Sequence, residues 1–165
     1  MMKKTFGLIF LVAVAAIAAE HHSPLKSNAA YDRMQSLVGD WKAEVPNMGP
    51  VTATYSIHSD GSALLEELKM EGEPSMITVY YPAGNDIVMT HYCSGHNQPH
   101  MKASGADAQS VKFTATSVEN LASKTDDHMN AVQFTFRDND HFTATWNNLA
   151  GGKNIAVPFE FRRVR

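Results

Sequence analysis

The sequence has a single cysteine, Cys93, among its 165 residues. One cysteine cannot form a disulfide within its own chain, so the fold must be stable without such a bridge. Cys93 also lies far from the N-terminus, which excludes a lipid attached to a cysteine at the start of a mature chain. Cys93 is therefore a buried apolar group, a metal ligand or a point of linkage to another chain.

Long apolar runs are also scarce, and the N-terminal one is the uncharged stretch over residues 5–19, directly after Lys3 and Lys4. A basic start, a short apolar stretch and the small-residue pattern Ala-Ile-Ala at residues 16–18 are typical of a secretory signal peptide. The run is shorter than the roughly 20 residues that a membrane-spanning helix requires. We therefore predict a signal peptide over residues 1–18, no membrane span, and a bacterial protein that is periplasmic or secreted.

Neither sign of charge is in large excess, with 14 basic and 17 acidic side chains and a formal net charge of −3. Removal of the signal peptide takes away two lysines and changes this charge to −5. Nucleic acid is therefore not a predicted partner, because phosphate binding requires an excess of Lys and Arg. Residues 19–27 have little to bury and are predicted to form a flexible leader, and residues 28–165 have the length of one domain.

The remaining chain begins with a helical pattern and continues with a strand pattern. Asn28 is a suitable N-cap, Tyr31, Met34 and Leu37 recur on one helical face, and Gly39 follows the last turn. Apolar residues then alternate with polar ones in about ten short runs, which polar or glycine-rich turns separate. Connections this short, and the need to remove exposed sheet edges, predict an all-β, antiparallel up-and-down barrel of about ten strands with a short N-terminal helix. A β-sandwich is the alternative.

The first strand opens with Gly-x-Trp, ending at Trp41, directly after the short helix. This local pattern resembles the lipocalin and calycin superfamily, and the strand count resembles that of small secreted bacterial β-barrel proteins. In the superfamily this tryptophan closes one end of the barrel beneath a basic side chain from near the C-terminus. The resemblance implies that Trp41 does so here, with Arg162 as the basic side chain and Arg163 and Arg165 as further candidates. The later lipocalin motifs are missing, so the resemblance extends to the fold and to no specific ligand.

Potential ligand side chains are densest between His91 and Met101. Side chains two apart on a strand share a face, so His91 and Cys93 are expected to point the same way. With a hairpin loop over residues 94–98, Met101 would pair with His91 and join that face. Imidazole, thiolate and thioether groups together suit copper or zinc, although they are equally consistent with a packed core. The predicted metal ligands are His91, Cys93, His96 and His100.

Two other metal-binding possibilities involve histidines. Some barrels of the resembled superfamily bind haem through one histidine, and His91 and His141 are the candidates here. At the N-terminus, cleavage after residue 18 or 19 would leave His21 or His22 third behind a free amine. An amine, two backbone amides and an imidazole can surround copper(II) or nickel(II) in a square plane.

The inward side chains of the strands either fill the barrel or line a ligand cavity. Glu66 and Glu67 occupy opposite strand faces, so Glu66 either points inward and holds a polar ligand head or lies in water at the barrel mouth. No catalytic motif is present, and we predict no enzyme activity. The predicted function is the binding of a small apolar or amphipathic molecule inside the barrel. The alternatives are a metal- or haem-binding protein and a ligand-free interaction module. The predicted ligand-binding residues are His91, Cys93, Met101, Met89, Tyr55 and Glu66.

Overall fold

The computed structural model describes Leu25 and residues 28–165. The predicted signal peptide and the N-terminal copper site at His21 and His22 lie outside the described residues. In the described part of the chain, no helix is long and apolar enough to cross a membrane.

The described chain forms one short helix followed by ten strands. Each strand pairs in antiparallel fashion with its neighbours in sequence, and the last strand pairs with the first, so the sheet closes into a barrel. The predicted all-β up-and-down barrel with a short N-terminal helix is therefore confirmed, and the β-sandwich alternative is wrong. The elements are α1 (Ala29–Gln35), β1 (Gly39–Val45), β2 (Gly49–His58), β3 (Ala63–Met70), β4 (Met76–Ala83), β5 (Asp86–Tyr92), β6 (Gln98–Ala106), β7 (Ser110–Glu119), β8 (His128–Phe136), β9 (His141–Ala150) and β10 (Lys153–Arg163).

Helix α1 lies across one end of the barrel, which we call the closed end. The Asn28 side chain caps the helix by accepting a hydrogen bond from the Tyr31 amide, and it also donates to the carbonyl of Asp86. The Tyr31 hydroxyl donates to the carbonyl of Gly61, in the turn between β2 and β3. These contacts fix α1 over the turns at this end, and its apolar face buries Tyr31 and Met34.

Trp41 seals the closed end from within. Its side chain is 1% exposed, and its indole Nε1 donates a 2.6 Å hydrogen bond to the carbonyl of Leu37. The guanidinium of Arg163 lies over the indole ring at 4.1 Å from the centroid. That guanidinium also donates to the carbonyls of Val38 and Ser36, which join the helix to the first strand.

The arginine over Trp41 is therefore Arg163, and the prediction of Arg162 for this position is wrong. Side chains alternate along β10, so Phe161 points into the barrel and Arg162 points out, where it is exposed. Arg163 is the next residue with the inward direction. The same guanidinium explains why the first residue of Gly-x-Trp is a glycine. The φ of Gly39 is +122°, and a Cβ on this residue would lie 2.9 Å from the Arg163 guanidinium.

The closed half of the barrel is filled by aromatic rings. Phe142 is the centre of this packing, with ring centroids 4.7 Å from Trp41 and 4.9 Å from Phe161. Tyr80 and Phe134 extend the cluster towards the middle of the barrel. These rings pack closely in this half of the barrel, and a cavity lined by inward side chains lies towards the other end.

Candidate functional site

The opposite end of the barrel, which we call the open end, contains a small cavity. Its volume is about 60 Å³, and its accessible wall is apolar. Four of the nine methionines of the sequence line it, together with one imidazole and one indole. We call this space the open-end cavity. These lining residues are Met48, Met70, Met76, Met129, His91 and Trp146.

A row of buried polar side chains crosses four neighbouring strands and ends at this cavity. Tyr55 pairs with Glu66, Glu66 with Thr78, and Thr78 with His91, so one inward position on each of β2, β3, β4 and β5 is polar. Each of the four side chains is at most 2% exposed. We call this set the polar row.

Glu66 is the acidic centre of the polar row. Its two carboxyl oxygens accept hydrogen bonds from the hydroxyls of Tyr55, at 2.9 Å, and Tyr80, at 2.6 Å. Burial raises the pKa of Glu66, and hydrogen bonds from Tyr80, Tyr55 and Thr78 partly oppose that rise. Burial, followed by the charge of Glu66, raises the pKa values of Tyr55 and Tyr80, so both tyrosines keep the protons that they donate.

His91 connects the polar row to the open-end cavity. Its Nδ1 lies 2.9 Å from the Thr78 hydroxyl, whereas its Nε2 is buried and has no hydrogen-bond partner. Burial lowers the pKa of His91 to about 4, so the ring is neutral near pH 7. The Thr78 hydroxyl and His91 Nδ1 form a hydrogen bond whose donor is set by the tautomer of the ring. With the ring proton on Nδ1, the lone pair of the neutral ring lies on Nε2.

Trp146 lies against His91 and carries a second unsatisfied polar atom. The two ring centroids are 4.8 Å apart, and the buried indole Nε1 of Trp146 has no hydrogen-bond partner. A buried polar group without a partner costs about 1–3 kcal/mol, so such groups are rare and each needs an explanation, such as a bound water, ion or ligand. An unpaired ring nitrogen on His91 and an unpaired donor on Trp146 therefore make this end of the barrel the candidate binding site.

The side chains predicted to bind metal do not come together. β6 begins at Gln98, so Met101 pairs with Met89 and His100 with Thr90, a shift of two residues from the predicted pairing of Met101 with His91. Because neighbours on a strand face opposite ways, His100 lies on the outer face, where its Nδ1 contacts the Thr90 hydroxyl. Met89 and Met101 are both packed in the core.

The other two predicted metal ligands lie in the β5–β6 loop. Cys93 is partly buried, and its backbone pairs with Asn97, while His96 is exposed on the turn with a φ of +63°. Among the residues that the structure describes, no group of three or more His, Cys, Asp or Glu side chains could hold a metal ion. The described structure therefore does not group His91, Cys93, His96 and His100, because His100 faces outward and Cys93 and His96 lie in the loop.

A haem does not fit the site either. Pockets for drug-sized ligands have volumes of roughly 300–1,000 Å³, far more than the open-end cavity. His141, the second candidate, is half-exposed on the barrel surface, and its Nδ1 contacts the carboxylate of Asp138.

A larger depression of about 770 Å³ lies beside α1 at the closed end. It is wide and open to solvent, and its wall combines the polar face of the helix with the β6–β7 turn, including Asp32 and Asp107. The carboxylate of Asp107 already accepts hydrogen bonds from the amides of Gln109 and Ser110, which lower its pKa. This depression is therefore a weaker candidate than the open-end cavity.

The sequence reasoning missed the four methionines of the cavity wall and Thr78 of the polar row. Thr78 and Tyr80 are inward members of an alternating strand that also contains Met76. The four methionines lie in or next to three turns, β1–β2, β3–β4 and β7–β8, and an up-and-down barrel brings alternate turns to the same end. The signal was therefore their position near alternate turns, which only the assigned strand order makes visible.

Comparison with known proteins supports the fold. No protein-family model and no curated protein sequence matches the chain. Among solved structures, the crystal structure of Rv2717c from M. tuberculosis matches with a TM-score of 0.52 and 14% sequence identity, covering 82% of this chain and 98% of that one. The two proteins thus share a barrel fold, and an identity this low carries no statement about function.

Proposed function

We propose that this protein is an exported barrel that binds a small amphipathic molecule at its open end. The observation that carries the proposal is the buried, unpartnered Nε2 of His91, whose ring lines an apolar cavity. The N-terminal sequence supports export, because residues 1–18 have the composition of a signal peptide.

The polar atoms at the cavity specify the head of the ligand. We infer that Nδ1 of His91 carries the ring proton, so that the neutral ring accepts a hydrogen bond at Nε2, while the Trp146 indole donates one at Nε1. A hydroxyl group both donates and accepts, so it has the chemistry that these two atoms require. A carboxylate has no proton to donate to His91, and its charge would be buried without a cation. The ligand head is therefore an uncharged hydroxyl or a similar group.

The size and wall of the cavity specify the rest of the ligand. A volume of about 60 Å³ is less than half of the roughly 150 Å³ of an engineered cavity that holds benzene. The cavity therefore holds the head and a few carbons, and a longer apolar chain must extend past the methionines at the rim. Met48 is 39% exposed there, and methionine side chains adapt their shape easily. A linear alcohol fits this description better than a fused-ring compound.

We expect 1-octanol to bind more tightly than octanoate, which has the same chain length and a charged head. The difference should be at least about fivefold, because one buried hydrogen bond to an unsatisfied group contributes about 1–3 kcal/mol. Fluorescence of Trp146 reports binding, and a Trp146→Phe variant identifies its share of the signal.

The matched variants are His91→Phe and His100→Phe. The first keeps an aromatic ring against Trp146 and removes the acceptor, so it should lose the preference for 1-octanol. The second changes a histidine on the outer face and should bind as the wild type does. Equal binding of 1-octanol and octanoate by the wild type would refute the proposed head group. No saturable response to either would favour the ligand-free interaction module.

A further inference from the structure

The side chains around the open-end cavity include several soft sulfur atoms, which the binding of an organic ligand does not require. The cavity is lined by Met48, Met70, Met76 and Met129, which have thioether groups, and by His91, whose Nε2 has no hydrogen-bond partner. None of the cavity-lining residues is an acid or a cysteine. Any apolar side chain could fill this space, yet four of the nine methionines of the sequence line it.

Neutral, soft donors of this kind select among metal ions. Thioether sulfur favours soft ions such as copper(I), and imidazole also binds copper. A doubly charged ion would have no anionic ligand here, and an unpaired charge in an apolar site is strongly unfavourable. The wall therefore suits the monovalent ions copper(I) and silver(I), and it does not suit zinc(II) or calcium(II).

The surroundings of His91 resemble those of a metal-binding histidine. A ligating imidazole usually donates its other ring N–H to an oxygen, which fixes the ring and raises its basicity. Here Nδ1 lies 2.9 Å from the hydroxyl of Thr78, which pairs across the strands with Glu66. On the other side, the Trp146 ring lies beside the imidazole, and the face of an indole attracts a cation.

We propose that the open-end cavity binds one copper(I) or silver(I) ion, with His91 Nε2 and the thioethers of Met70, Met76 and Met129 as ligands. Met48, on the β1–β2 turn, covers the cavity from the solvent side. The inference rests on the same cavity as the proposed function, but it does not require that an alcohol binds there. It also differs from the predicted metal site, because Cys93, His96 and His100 take no part.

The test uses silver(I), which needs no reductant, and the full-length chain with Cys93→Ser, because a thiol binds silver by itself. Native mass spectrometry counts the bound ions, and the fluorescence of Trp146 reports an ion next to the indole. We expect saturable quenching at one equivalent of silver(I) and none with zinc(II). Trp146→Phe should remove the quenching and leave the bound mass unchanged.

Two triple variants, each with three methionine-to-leucine changes, distinguish an effect at the cavity from an effect elsewhere in the core. Met70→Leu, Met76→Leu and Met129→Leu together remove the thioethers and keep the wall apolar. Met34→Leu, Met89→Leu and Met101→Leu together change the same number of buried methionines elsewhere in the core. Methionine-to-leucine changes preserve volume and are well tolerated, and circular dichroism verifies the fold. Should the first triple variant fail to fold, its three single variants replace it.

We expect the cavity variant to weaken silver(I) binding by more than about 100-fold, since changes behind the ligands alone weaken metal binding by about 10–100-fold. The core variant should bind as the Cys93→Ser parent does. Equal binding by the two variants, or loss of the quenching on Cys93→Ser alone, would overturn the proposal.

The cavity variant keeps His91 and an apolar wall, so it should still bind 1-octanol. A protein that binds silver(I) but no alcohol would refute the proposed function and leave this inference standing. A protein that binds the alcohol, and whose two triple variants bind silver(I) equally well, would refute the silver(I) and copper(I) site and leave the proposed function standing.

Discussion

Replacing Trp41 with alanine is expected to lower the free energy of unfolding by about 3–5 kcal/mol, as large-to-small changes of buried aromatic residues do. The side chain is 1% exposed, packs edge-on against Phe142, and supports the guanidinium of Arg163. Its loss would leave a cavity at the closed end and free the Leu37 carbonyl from its hydrogen bond. Urea unfolding followed by circular dichroism measures the change.

Tyr92→Ala provides the control for this change. Tyr92 is half-exposed on the outer face of β5, and surface changes of this kind stay within about 0.5 kcal/mol. A loss below about 0.5 kcal/mol for Trp41→Ala as well would mean that Trp41 does not close the barrel.

The second large effect is expected at Glu66. Changing Glu66 to alanine removes the acceptor of both the Tyr55 and the Tyr80 hydroxyls. Leaving a buried donor unsatisfied costs about 1–3 kcal/mol, so two of them should lower the free energy of unfolding by roughly 2–6 kcal/mol. The same urea experiment measures this change.

The pH dependence of that loss has a defined sign. The pKa of Glu66 is higher in the folded than in the unfolded chain, because burial disfavours the charged form. The contribution of Glu66 to stability is therefore complete below its unfolded pKa, which is about 4.5, and decreases as the pH rises through the folded pKa. Glu66→Ala should thus be more destabilising near pH 4 than near pH 8.

Glu67→Ala is the matched control, because Glu67 is the next residue and points out of the barrel. Its carboxylate forms only an exposed ion pair with Lys69. Exposed pairs contribute about 0–1 kcal/mol, so this change should have little effect. Similar losses for Glu66→Ala and Glu67→Ala would contradict the buried position of Glu66.

The sequence was sufficient for the barrel because its signals are local. Alternation with a period of two and short turns identify the strands, and Gly-x-Trp identifies Trp41 without knowledge of any distant contact. The assignment of the covering arginine failed by one residue. Counting the alternation from Phe159 and Phe161 would have placed Arg163 inward and Arg162 outward.

The candidate site was harder to predict because it depends on register between strands. The length of the β5–β6 loop decides whether Met101 faces His91 or Met89, and a shift of two residues keeps the face but changes the neighbour. The polar row has the same dependence. Tyr55, Glu66 and His91 each appear in the sequence, but only pairing through Thr78 aligns them.

The most direct test of the central claim is a nitrogen-15 NMR titration of the histidine side chains, with His91→Phe used to identify the His91 signals. We predict that His91 is neutral near pH 7, with its proton on Nδ1 and none on Nε2. We also predict that the His91 ring gains a second proton only near pH 4, since burial lowers its pKa to about 4. Addition of 1-octanol should shift the Nε2 resonance. A proton on Nε2 near pH 7, or a charged His91 ring at that pH, would contradict the proposed binding site, because the open-end cavity would then lack its hydrogen-bond acceptor.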